Sequence, residues 1–167
     1  LIIGAPENAN IFVPGEGFAR VHSGLNGAVL FTSQGQANFE CYGAAVEGDL
    51  DLNNDGVADF LVGAPQASQF MPDAGRVVAR PGVSGALMYS INGLHNGEEF
   101  GYSIAALGHV NSDGRDDFAV GAPHAPAGLV NDVGRVTIPS RLLGSILRSI
   151  ARSGSTHSSV EHLAFDC

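Results

Sequence analysis

The sequence predicts an all-β chain of repeated four-stranded units set around an axis, and three observations carry that prediction. The stretch Tyr42 to Pro65 recurs as Phe100 to Pro123 without a gap, at an offset of 58 residues. Within each unit, short apolar runs alternate with turns, and 23 of the 167 residues are glycine, which suits many short strands and not long helices. A period of 58 to 59 residues with four short strands per unit marks a radial β architecture. A four-stranded sheet that is apolar on both faces cannot bury them alone and has to stack on a neighbour.

Taken in order, Leu1 to Gly4 reads as a strand and Glu7 to Gly15 as a polar loop. Ala19 to His22 and Val29 to Thr32 read as strands around the turn Ser23 to Gly27, which is rich in residues that tolerate positive φ. Leu1 to Pro6 matches Phe60 to Pro65. The chain therefore begins in the middle of a unit, as expected of a fragment or a mature segment, and the missing secretory leader says little about export. Residues 42–99 hold every part of the repeat, with strands expected near 43–47, 60–63, 76–80 and 87–91. Residues 100–150 follow the same plan, near 102–107, 118–121, 135–138 and 146–150. The apolar runs at Leu1, Phe60 and Phe118 suit strands buried on both faces. In each Gly-Ala-Pro triplet, glycine is expected to end the strand and proline to refuse the next ladder bond. Leu142, Leu143, Ile146, Leu147 and Ile150 also permit a helix by spacing, but Gly144 and the repeat register favour a strand. Residues 151–167, rich in Ser, Gly, His and Thr, read as a flexible tail.

The acids concentrate in two loops. In Gly48 to Pro65, Asp51, Asn53, Asp55 and Asp59 occupy positions 1, 3, 5 and 9 of a loop, with Gly56 at position 6. Alternating oxygen-bearing side chains followed by a glycine is how a loop wraps a hard cation, and the carbonyl of Val57 becomes a further ligand. The spacing begins like a helix-flanked calcium loop. However, position 12, which should be Glu, is Val62, and the next residues read as a strand. Calcium is favoured over magnesium, which prefers a rigid and mostly hydrated site. The competing reading is a polar turn whose side chains bond their own backbone. The second loop offers Asn111, Asp113, Asp117 and the Arg115 carbonyl, but places His109 where the first has Asp51. Imidazole suits borderline metals better than calcium, so weaker binding or an empty loop is expected there. Asp116 is expected outside the ligand shell.

The pair Phe100-Gly101 (with Tyr42-Gly43 as its variant), the acidic loop and the triplet Gly-Ala-Pro together resemble the FG-GAP repeat of integrin α-subunit β-propellers and of many secreted bacterial proteins. The resemblance covers residues 1–150. It implies β-propeller blades of four antiparallel strands, with calcium on the loop between the first two strands of a blade. Residues 1–41 then form a partial blade, and 42–99 and 100–150 one blade each. So few blades cannot close a ring. An open arc is expected, completed by further blades from a longer chain or another protomer.

Other chemistry finds little support. The six histidines are scattered, and the chain has no zinc spacing, nucleophile elbow or phosphate loop, so no enzyme is expected within it. Glu98 and Glu99 read as solvated surface. Cys41 and Cys167 stand at non-equivalent positions, and each reads more simply as a free thiol than as half of a pair. The net charge of −9, with all eight basic residues arginine, argues against nucleic acid and anionic membranes as partners. No stretch is long and apolar enough to span a membrane. The expectation is a calcium-binding adhesion or binding scaffold of an extracellular or cell-surface protein, with a protein or glycan ligand. The alternatives are an accessory domain of an extracellular hydrolase and a carbohydrate-binding propeller. The latter lacks an aromatic platform, with no Trp and three Tyr.

Overall fold

The computed structural model describes residues 1–6, 15–127, 130, 132–139 and 146–151. Among them every regular element is a strand: β1 (Ile2–Ala5), β2 (Phe18–His22), β3 (Val29–Gln34), β4 (Ala45–Leu50), β5 (Asp59–Ala64), β6 (Arg76–Arg80), β7 (Tyr89–Asn92), β8 (Ser103–Gly108), β9 (Asp117–Ala122), β10 (Arg135–Pro139) and β11 (Ile146–Ala151). They form three antiparallel sheets in chain order, β1–β3, β4–β7 and β8–β11. This is the propeller-blade architecture, in an incomplete arc. The ambiguous segment after Leu142 resolves as β11, paired with β10 from Arg135↔Ala151 onward. The expected loop at 7–14 and tail at 152–167 lie outside the described residues.

The middle sheet shows why the units repeat. Side chains along a strand alternate between faces, and β5 is buried along its whole length. Phe60, Val62 and Ala64 pack with Ala19 of the first sheet, with Ile2, Val21 and Phe31 around them. Leu61, with Val77 and Ala79 of β6, packs with Phe100, which precedes β8, and with Phe118, Val120 and Ala122 of β9 in the third sheet. Each such large side chain taken from water contributes roughly 1.5–3 kcal/mol. The rings of Phe31 and Phe60 stack across the first seam, with centroids 6.4 Å apart.

Two sequence expectations change here. The glycine of Gly-Ala-Pro does not end its strand: β1, β5 and β9 run on through the alanine, and only the proline stops them. Gly63 is needed inside β5 because a Cβ there would lie 2.2 Å from the Gly101 carbonyl oxygen of the next sheet. Gly4 meets Gly43 in the same way at 2.1 Å. The sheets thus meet backbone to backbone where the two motifs cross, and Gly43 and Gly101, at φ +94° and +92°, make a turn that L side chains disfavour. The second change concerns β1, which is not buried on both faces: Leu1 and Ile3 are 76% and 47% exposed. They occupy the positions of Phe60 and Val62, which in the middle sheet face the preceding one. Among the described residues no sheet stands on that side of β1.

Cys41 is a buried free thiol. It donates to Gln66 Oε1 at 3.3 Å, and burial, with the charges of Glu99 and Asp73 adding, pushes the thiol above its ordinary value. Cys167 lies outside the described residues.

Candidate cation loops

The first loop joins β4 to β5, and the second joins β8 to β9. In both, the expected ligands hold the loop's own amides. Asp51 accepts the Asp55 amide through Oδ1 at 3.1 Å and the Gly56 amide through Oδ2 at 2.9 Å. Asn53 Oδ1 accepts the Asp55 amide at 2.8 Å, and Asp55 Oδ1 accepts that of Val57 at 2.8 Å. The second loop repeats the last two bonds, Asp113 to Asn111 at 2.8 Å and Arg115 to Asp113 at 3.0 Å. Val57 and Arg115, whose carbonyls are the expected main-chain ligands, each follow a glycine at positive φ, +79° at Gly56 and +75° at Gly114.

Position 9 anchors each loop. Asp59 is buried, and its carboxylate accepts the amides of Leu52 at 3.0 Å and Gly82 at 2.9 Å. It therefore ties the loop to the turn between β6 and β7. Burial raises its pKa above the usual carboxylate value, and the Asp55 and Asp51 charges raise it further, against the pull of the two amides. Asp117 takes the same place, accepting the Val110 amide at 3.0 Å and Asn111 Nδ2 at 2.9 and 3.1 Å. Asp51 moves the other way: the Gly56 amide, helped by those of Asp55, Asn54 and Asn53, holds its carboxyl below the ordinary value despite some desolvation.

As the side chains stand, no three Asp, Glu, His or Cys among the described residues converge closely enough to hold a metal ion. The donor chemistry of the first loop nevertheless suits a hard cation. It is all oxygen, and three carboxylates lie close enough for two to disturb the titration of the third. A carboxylate oxygen bonded to one amide keeps a lone pair. The second loop departs at position 1. His109 is 61% exposed and turns to Asp116, with Nδ1 3.5 Å from Oδ1. Asp116, expected outside the ligand shell, reaches the neighbouring blade: its Oδ2 accepts the Asp51 amide at 2.7 Å, and its own amide donates to the Asp51 carbonyl at 3.1 Å.

Sequence reasoning missed one repeated feature. Glu98, expected at the surface, is buried, with its side chain 2% exposed. It receives the Leu94 amide and His95 Nδ1, and Arg135 lies 3.5 Å away. Its counterpart Glu40 is buried against Arg76, whose Nη2 donates to both carboxylate oxygens at 3.0 and 3.1 Å, while Gln69 donates at 2.7 Å. Both acids precede the Tyr-Gly or Phe-Gly pair, and both arginines open the third strand of the blade that follows. The available signal was a glutamate recurring in register with Gly-Arg-Val, at 40 and 98, and at 75–77 and 134–136.

The FG-GAP repeat family matches this chain at residues 42–79 and 100–138. Each matched stretch contains one loop and the three strands around it. Integrin alpha-4 of Xenopus laevis is 36% identical over 100 residues, 57% of this chain and 10% of its own length. Integrin alpha-5 of the same species is 33% identical over 131 residues, covering 73% and 12%. Integrin alpha-8 of Mus musculus is 30% identical over 135 residues, covering 75% and 12%. The chain thus spans about a tenth of the length of these relatives.

Proposed function

Because this chain carries two FG-GAP repeats, we propose that it is a calcium-stabilised β-propeller segment serving as a binding or adhesion scaffold, without catalytic activity, in an extracellular or cell-surface protein. The observation that carries this reading is the pair of acidic loops. They lie at equal places between the first two strands of adjacent blades, with two Asx bonds in common and a buried aspartate at the same position. The first site uses Asp51, Asn53, Asp55, Asp59 and the Val57 carbonyl. The second uses Asn111, Asp113, Asp117 and the Arg115 carbonyl. A bound divalent ion would neutralise the clustered acids and fix the joint between two strands, which is a structural role. Leu1 and Ile3 at one end of the arc and Val136 at the other, 47% exposed, belong to faces that further blades cover, from the same chain or another protomer. The ligand presented to is a protein or a glycan.

Thermal unfolding tests the reading. Calcium should raise the midpoint, EDTA should reverse the rise, and Asp55→Ala should abolish most of it. A melt that ignores both calcium and EDTA would overturn the proposal.

A further inference from the structure

Two departures from the internal repeat meet at one point. Where the first loop has Asp51 the second has His109, and where the first has Ala58 the second has Asp116. One oxygen of Asp116 faces His109 at 3.5 Å and the other accepts the Asp51 amide at 2.7 Å, while the Asp116 amide donates to the Asp51 carbonyl at 3.1 Å. One residue of the third blade therefore holds both backbone polar groups of Asp51. Ala58 has no carboxylate, so the first loop offers nothing equivalent.

Asp51 organises its own loop, since its carboxylate takes two of the loop amides. A side chain is aimed only as firmly as the backbone that carries it is held, and groups behind a ligand commonly set its affinity. We propose that Asp116 is a positioning residue for the first loop, coupling cation binding there to the docking of the following blade. This rests on the reading of the loops as cation sites. Coupling is reciprocal: a docked third blade raises the affinity of the first loop, and a cation in that loop strengthens the seam between the blades. The order is fixed, because only the later loop carries the bridging carboxylate.

The test uses the full chain carrying Asp113→Ala, so that calorimetric calcium titration reports the first loop alone. Adding Asp116→Ala should weaken binding about five- to thirty-fold, within the usual span of coupling between sites. Asp116→Asn keeps an oxygen that can accept the Asp51 amide and should restore most of the affinity. Hydrogen exchange at the Asp51 amide, followed without calcium, should speed up in the Ala variant and stay slow in the Asn variant, which distinguishes positioning from loss of charge. If the Asp113→Ala protein takes up no calcium, the reading of the loops as cation sites fails and the coupling falls with it. If it binds calcium equally well with and without the Asp116 carboxylate, the sites stand and the coupling alone is wrong. An Asn variant as weak as the Ala variant also overturns the positioning role, and this variant settles the matter even where Ala impairs folding.

Discussion

The blade at residues 42–99 and the blade that follows are built from the same repeat, yet the first is held more tightly at corresponding points. Its arginine, Arg76, grips Glu40 through two contacts of 3.0 and 3.1 Å, where Arg135 approaches Glu98 at 3.5 Å. Its loop has Asp51 folded over two amides, where the other has an exposed histidine. The tighter blade is the one with a sheet on either side. Its arginine is also the more enclosed, with the Arg76 side chain 6% exposed against 16% for Arg135, and a charge shut away from water needs its partner close. The looser blade shows what the same sequence pattern tolerates with a sheet described on one side only.

Replacing the two arginines should give the largest contrast. Arg76→Ala leaves Glu40 charged and buried without its cation, which costs about 3–5 kcal/mol. Arg135→Ala removes a longer contact from a site that also contains His95, and about 1–3 kcal/mol is expected. Urea unfolding of the two variants measures both. Equal losses would show that the two seams are energetically alike and that the distances mislead.

A smaller effect is expected from converting one loop into the other. His109→Asp restores the oxygen donor at position 1 and should tighten calcium binding at the second loop by about tenfold, or roughly 1.4 kcal/mol. Calorimetry in an Asp55→Ala background isolates that site. No gain would mean that position 1 is not what separates the loops.

The smallest contrast is in pH. Asp59 has its pKa raised by burial above the ordinary value of 3.8. Its contribution to stability is therefore fully present below that value and is lost as pH rises through the folded pKa. In calcium-free buffer the wild type should lose stability relative to Asp59→Asn as pH rises above about 4, and calcium should flatten the loss. Denaturant titrations at a series of pH values read the difference. A wild type that instead gains stability relative to Asp59→Asn as pH rises would reverse the sign assigned to burial.

Much of the fold was legible because it depends on neighbours in sequence. Short apolar runs at Phe60 and Phe118, closed by Gly-Ala-Pro, marked the strands, and the offset of 58 residues fixed their order. What the sequence did not show depends on contacts between distant segments. Glu98 looked like surface because its burial depends on Arg135, and the role of Asp116 depends on Asp51, 65 positions earlier. The direction of the loop side chains was also illegible, because aspartate at positions 1, 3 and 5 serves either a cation or the loop's own amides. Gly63 was read locally as a strand stop, while its reason is a carbonyl oxygen in the next sheet.

The meeting of Gly63 with Gly101, and of Gly4 with Gly43, has an evolutionary consequence. Main chain against main chain needs no matched pair of side chains, so this one contact survives duplication of a unit unchanged. In a lengthened array the selectivity of a junction then rests on the side chains around it, the apolar seam and residues that the units do not share, such as Asp116.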